Sequence, residues 1–195
     1  MATRSKLDWL IFQGRLHSCS AVERLPSVQK DRSISEIVIA PLSSHPHLAT
    51  QVVEIAWNEW GAGLSEEEHQ RWLRLAEEDA RLHDLYHAAF VALDDSYSVG
   101  VVQLHQFDIV EMADRSPWVC GMIVRPEYRG RGIGRRHLSA LEDFAAAEGA
   151  EAIWVWTDTA SDFYAACGWT RYGDVVAAGE PGTVFSRRVS GEDLR

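Results

Sequence analysis

Val124-Arg125-Pro126-Glu127-Tyr128-Arg129-Gly130-Arg131-Gly132-Ile133-Gly134-Arg135-Arg136 joins a strand end, a glycine-rich turn and a helix start in one short stretch. Upstream, Trp118 to Val124 is apolar and reads as a strand, which Pro126 stops. Downstream, Ile133, His137, Leu138, Leu141, Phe144 and Ala145 recur at helical spacing, so a helix is expected from about 132 to 148 with Gly149 as its C-terminal cap. His137 falls on the apolar side and reads as a packed histidine. Glycines let a backbone reach positive φ and approach a ligand closely. A helix start offers unpaired N–H groups and the positive end of a dipole. Arg125, Arg129, Arg131, Arg135 and Arg136 gather here, although the chain as a whole carries a net charge of -10. Glycines alone read as a tight turn, and arginines alone as a solvated helix end. Together with the helix start they point to a phosphate-bearing ligand.

Working outward, Glu36 to Ala40 is β-branched and reads as a strand ending at Pro41. Residues 46 to 59 carry the helical stripe Leu48, Val52, Ile55 and Ala56, broken by Gly61 and Gly63. Ser65 and Glu68 form a capping-box signature for a second helix that is expected to run to about Tyr86. Ala88 to Leu93 and Val99 to Phe107 read as a hairpin about the turn Asp94-Asp95-Ser96. Past the arginine-rich turn and its helix, Ile153 to Trp156 is a strand and Ser161 to Cys167 a short helix capped by Gly168. Trp169 to Tyr172 and Thr183 to Val189 supply the last strands. The order is a meander followed by one βαβ unit. A dinucleotide-binding Rossmann half is the rival reading, but the glycine spacing is G-x-G-x-G rather than G-x-G-x-x-G, and the meander upstream does not fit it.

The chain has 195 residues, 46% hydrophobic and 25% charged, and suits one domain with an extension. Residues 1–33 lack sustained periodicity and are expected to be an N-terminal extension, with 34–190 the domain and 191–195 a tail. The patch Trp9 to Phe12 is expected to cover a sheet edge or to join a homodimer interface. The negative balance argues against nucleic acid and suits a cationic partner, although solubility alone accounts for it. Cys19, Cys120 and Cys167 have no metal-ligand or disulfide spacing, so no metal is expected and a cytoplasmic setting is the simplest. No apolar run is long enough to span a membrane.

Two motifs resemble the GNAT N-acetyltransferase superfamily. Arg129-Gly130-Arg131-Gly132-Ile133-Gly134 is similar to its acyl-CoA signature R/Q-x-x-G-x-G/A. Phe163-Tyr164-Ala165-Ala166-Cys167-Gly168-Trp169 is similar to its F-Y-x-x-x-G-F/W element. The resemblance implies an α/β (α+β) fold with a mixed, mostly antiparallel sheet of six to seven strands, splayed at the fourth and fifth and flanked by helices. It implies acetyl-CoA as co-substrate. Its diphosphate would lie on Arg129, Gly130, Arg131, Gly132, Ile133, Gly134 and Arg135, and its pantetheine arm along Ile123 and Val124. Tyr164 would protonate the leaving thiolate. An amine acceptor is the expected partner, small or an amine antibiotic. A protein N-terminus or lysine, or acyl-CoA sensing without turnover, are the alternatives.

Some members of that family carry a glutamate on the fourth strand, whereas Trp118-Val119-Cys120-Gly121-Met122 has no carboxylate. His105, Asp108 and Glu111 near the third-strand end are candidates for the base, directly or through water, although each is more often a plain loop residue. Trp57, Glu59 and Trp60 are candidates for acceptor recognition, the glutamate as a counter-charge and the indoles as a cation–π wall, with core packing as the competing reading.

Overall fold

The computed structural model describes residues 37–190. The N-terminal extension, its apolar patch and the C-terminal tail lie outside the described residues. The elements are β1 (Ile37–Pro41), α1 (Ala49–Trp60), α2 (Glu66–Asp79), β2 (His87–Asp94), β3 (Tyr97–His105), β4 (Trp118–Val124), α3 (Ile133–Ala147), β5 (Ala152–Thr157), α4 (Ser161–Ala166), β6 (Thr170–Ala177) and β7 (Glu180–Arg188). They build one seven-stranded sheet in the order β1-β2-β3-β4-β5-β7-β6. Every neighbouring pair is antiparallel except β4 and β5. This is the mixed, mostly antiparallel sheet that the resemblance implied.

Side chains alternate across a strand, so each face gathers its own core. Phe90, Val102, Leu104, Val119, Ile153, Val155 and Phe185 meet Leu138 and Leu141 of α3 and Tyr164 of α4 on one face. Val91, Leu93 and Val101 meet Leu48 and Val52 on the other, where α1 lies. Leu138 and Leu141 are almost wholly buried. Truncating either to alanine costs about 2–5 kcal/mol, so α3, which begins at the glycine-rich turn, is firmly seated.

β4 and β5 meet at a single pair, Trp118 with Trp154, where the Trp154 N–H donates to the Pro117 carbonyl at 3.0 Å. Beyond it the strands pair no further. A bulge in β4 accompanies the parting. Gln103 faces Cys120 and Val101 faces Ile123, so Val102 stands opposite both Gly121 and Met122. Gly121 has φ +55°, which glycine adopts without steric penalty. Bulges sharpen local twist and bend the strand that carries them. β4 therefore turns away from β5 toward its C-terminal end, and the splay opens beside the glycine-rich turn.

The structure differs from the sequence reading at several boundaries. α2 opens on the expected capping box, with the Glu68 N–H donating to Ser65 Oγ at 3.3 Å and the Ser65 N–H to Glu68 Oε2 at 3.1 Å. It ends at Asp79, not near Tyr86. Asp84 accepts from the Tyr86 N–H at 2.9 Å, a local turn that competes with helix. β3 starts earlier, at Tyr97, and stops at His105. β6 and β7 are longer than expected and close as a hairpin on Ala178 and Gly179, both at positive φ.

Candidate active site

Pro126–Tyr128 forms a single 3-10 turn after β4, and the chain then swings through Gly130 (φ +75°) and Gly132 (φ +76°) into α3. Gly132 is the N-cap, and no side chain caps the helix. The first backbone N–H to find a partner is that of Arg136, which donates to the Gly132 carbonyl at 3.2 Å. The amides from Gly130 through Arg135 donate to no protein acceptor among the described residues. The run is partly exposed, with Gly130, Gly132 and Arg135 open to solvent, so water or an anion can satisfy these donors.

Four of the five arginines are held by contacts within the fold. Arg129 Nε donates to the Val124 carbonyl at 2.9 Å, and its Nη2 pairs with Glu59 Oε2 at 2.7 Å. It thereby ties the turn to the end of β4 and to α1. Arg131 Nη2 donates to the Glu127 carbonyl at 3.1 Å and its guanidinium lies over Tyr128, 5.0 Å from the ring centroid. Arg125 lies over Tyr97 and donates to the Ser98 carbonyl, and Arg136 donates to the Ile37 carbonyl. Arg135 is exposed at the helix start.

Tyr164 sits on α4, which packs beside the opening between β4 and β5. Its ring stacks on Phe185 at 6.0 Å and meets Trp169 edge-on at 5.4 Å. Burial first, then the nearby Cys120, Asp108 and Cys167 groups, hold its phenol above its usual value, so it keeps its proton. Cys120, on β4 two residues past the Trp118–Trp154 pair, is buried too. Burial and then Asp108 raise its thiol well above the usual range, which leaves it un-ionised and unsuited to be a nucleophile.

Asp108 lies in the loop between β3 and β4. Both carboxyl oxygens are fully buried and neither has a hydrogen-bond partner among the described residues. The Cys120 thiol is its neighbour, but that S–H is directed to the Trp118 carbonyl at 3.6 Å, so it does not satisfy the carboxyl. Burial pushes Asp108 up to about 7, against a smaller downward pull from Cys120. His105, at the end of β3, is also buried. Burial, then the charge of His87, push it down to about 3, which makes the imidazole a poor proton acceptor at neutral pH. Glu111 lies exposed on the 3-10 turn Val110–Met112.

Trp57 packs between His69 and Trp72, at 4.4 and 5.1 Å between ring centroids, and Trp60 joins the same α1–α2 cluster. Glu59 faces the glycine-rich turn and is taken by Arg129. Ile123 is buried against α1, and the Val124 carbonyl is the one that Arg129 holds. His137, as expected, is packed in the core, and neither ring nitrogen has a partner among the described residues. By residue type and spacing, Asp108 is one polar loop residue among three. Its flanks, Phe107 and Ile109, are the signal that such a carboxyl is drawn inward.

A seven-stranded mixed sheet, split between β4 and β5 beside a helix start with open amides, defines the acyl-CoA-dependent acetyltransferase class. The model of the acetyltransferase (GNAT) family matches residues 49–169, and the chain belongs to that family. It is an acetyl-CoA-dependent acetyltransferase. Solved structures share the fold. An aminoglycoside 6'-N-acetyltransferase complexed with coenzyme A is similar over 78% of this chain and 97% of its own, at 17% identity and TM-score 0.62. An aminoglycoside 6'-acetyltransferase type Ii covers the same shares at 20% identity and TM-score 0.61. An acetyltransferase from Streptococcus agalactiae covers 80% of this chain and 99% of its own, at 17% identity and TM-score 0.57. No curated protein matches the chain. Among the described residues no helix is long and apolar enough to cross a membrane.

Proposed function

We propose that the chain transfers the acetyl group of acetyl-CoA to a primary amine by direct attack in a ternary complex, with a small amine or an amine antibiotic as acceptor. The observation that carries this reading is the run of unpartnered amides from Gly130 through Arg135 at the mouth of the β4–β5 opening. The diphosphate of acetyl-CoA supplies the acceptors these donors lack. Arg135 adds charge there, while Arg129 and Arg131 hold the loop in shape. The pantetheine arm then follows Ile123 and Val124 into the opening.

At its inner end the thioester carbonyl lies beside β4, where a backbone N–H near Ile123 stabilises developing negative charge. Tyr164 donates its proton to the departing sulfur. A phenol of pKa about 10 or higher is a weak acid, so placement matters more than acidity, and its stack on Phe185 fixes that placement. The acceptor preference is supported by the negative balance of the chain and by the two aminoglycoside acetyltransferases of the same fold. Free Cys120 and Cys167 suit a reducing cytoplasm.

The test is a panel of primary amines, aminoglycosides included, with free CoA thiol as the readout and calorimetry for acetyl-CoA alongside. Acetyl-CoA binding with acceptor-dependent thiol release is the expected result. Tight binding without release for any amine would make the chain a sensor, and absence of binding would remove the reading altogether.

A further inference from the structure

Among the described residues, Asp108 carries the one carboxyl whose two oxygens are both buried and unpartnered. A carboxyl in such a place is expensive to ionise, and a titratable group so perturbed beside a cleft is a candidate functional group. Its surroundings are dry. The flanking Ile109, with Met112, Trp118 and Cys120, forms an apolar cluster against which Trp154 and Trp156 pack. That cluster lies where β4 and β5 make their last contact before parting. Cys120 packs with Ile109 of the β3–β4 loop, and its neighbour Val119 packs in the cluster that holds Tyr164, so the loop, β4 and α4 meet around one stretch of β4 at the inner end of the opening. The other candidate bases are poorly suited: Glu111 is exposed, and Glu59 is held by Arg129.

We propose that Asp108 is the catalytic base, taking a proton from the ammonium form of the acceptor at the inner end of the β4–β5 opening. The inference rests on the acetyl-transfer reading. Asp108 as carboxylate accepts one proton from R-NH3+, giving the carboxylic acid and a free amine. The amine nitrogen bonds to the thioester carbonyl carbon and the C–S bond breaks. Tyr164 gives its proton to the sulfur and regains one from the nitrogen as the amide forms. Asp108 then releases its proton to solvent. Net, acceptor ammonium and acetyl-CoA become amide, CoA thiol and one proton. A carboxyl that titrates at about 7 is matched to this task at neutral pH.

The experiment compares wild type with Asp108→Asn on two probes, kanamycin, whose amines are mainly ammonium at pH 7, and methoxyamine, which is uncharged there. Free thiol gives kcat and KM, and calorimetry gives acetyl-CoA affinity. Expected is a loss of about 100-fold or more in kcat/KM for kanamycin, a change within about threefold for methoxyamine, and unchanged acetyl-CoA binding. The wild-type kanamycin profile should rise with pH through a limb near 7 that the variant lacks. Infrared spectra of wild type supply a readout free of turnover: a protonated-carboxyl band, absent from Asp108→Asn, that fades as pH rises through about 7. Equal losses on both probes, or undiminished kanamycin turnover, would overturn the assignment while leaving acetyl transfer in place. So would a wild-type carboxyl already ionised at pH 5, a result that does not depend on how the variant folds. Thiol release by wild type with neither probe nor any other amine of the panel would remove the acetyl-transfer reading and this base with it.

Discussion

Phe163 lies against Gly134 so closely that a β-carbon built on the glycine would stand 3.1 Å from the ring's Cζ. The two residues come from separate motifs, one opening α3 and the other in α4. Their contact holds the open amides and Tyr164, next to Phe163, as one unit. A residue with a side chain at 134 requires the Phe163 ring to give way by a few tenths of an ångström, and a branched side chain requires more.

Gly134→Val is therefore expected to weaken acetyl-CoA binding by about tenfold or more and to lower stability by about 1–3 kcal/mol through overpacking. Calorimetry and thermal unfolding check the two effects separately. Unchanged affinity would mean that the contact does not position the turn.

Tyr164→Phe keeps the ring that stacks on Phe185 and Trp169 and removes only the proton. A fall of about 100-fold in kcat with unchanged acetyl-CoA affinity is expected from loss of a positioned acid. Retained turnover would remove Tyr164 from the mechanism.

Glu59 and Arg129 are paired at 2.7 Å, yet both are substantially exposed, so the pair contributes at most about 1 kcal/mol to stability. Its charge matters more. Removing a negative charge beside a diphosphate site favours the anion. Glu59→Gln should leave the melting temperature nearly unchanged and tighten acetyl-CoA binding by about two- to fivefold, less so as salt rises. Calorimetry at low and high salt measures both.

The sheet was legible because its signals are local. Trp118 to Val124 and the stripe from Ile133 to Ala145 fixed β4 and α3 nearly to the residue. The family motifs likewise lie on contiguous residues. What stayed hidden depends on contacts between distant parts. α2 overran in the reading because Leu82 and Leu85 keep an apolar rhythm, whereas the side chain of Asp84 diverts the backbone into a turn. Glu59 looked like a free acceptor contact because its partner is 70 residues away. Asp108 could not be told from Glu111 by type or spacing. Only burial separates them, and burial is decided by the packing of Ile109 and Met112 against Trp118 and Cys120. The bulge at Gly121, which helps part β4 from β5, gives no signal beyond a lone glycine in a strand.

His137 is fully buried with both ring nitrogens unpartnered, and burial, then Arg136, push it down to about 3. An unfolded histidine takes up a proton near 6.5, so the unfolded state binds more protons once pH falls below that value. The stabilising contribution is present above 6.5 and is lost as pH falls toward 3. His105 acts in the same direction, while Asp108, raised to about 7, acts in the opposite one, gaining stability as pH falls toward 3.8. His137→Leu removes one of these contributions and two unsatisfied polar atoms. Its stability relative to wild type should rise by about 2 kcal/mol between pH 7 and pH 5. Chemical unfolding at both pH values measures the difference, and a pH-independent difference would show that His137 has a partner.

The amides of Gly130, Gly132 and Gly134 report most directly on the diphosphate site. Titration of the labelled protein with acetyl-CoA, followed by amide NMR, should move these resonances downfield, and calorimetry should give a matching saturable heat. Saturable binding that leaves those three amides unmoved while shifting others, or no binding at all, would contradict the assignment of the turn to coenzyme A.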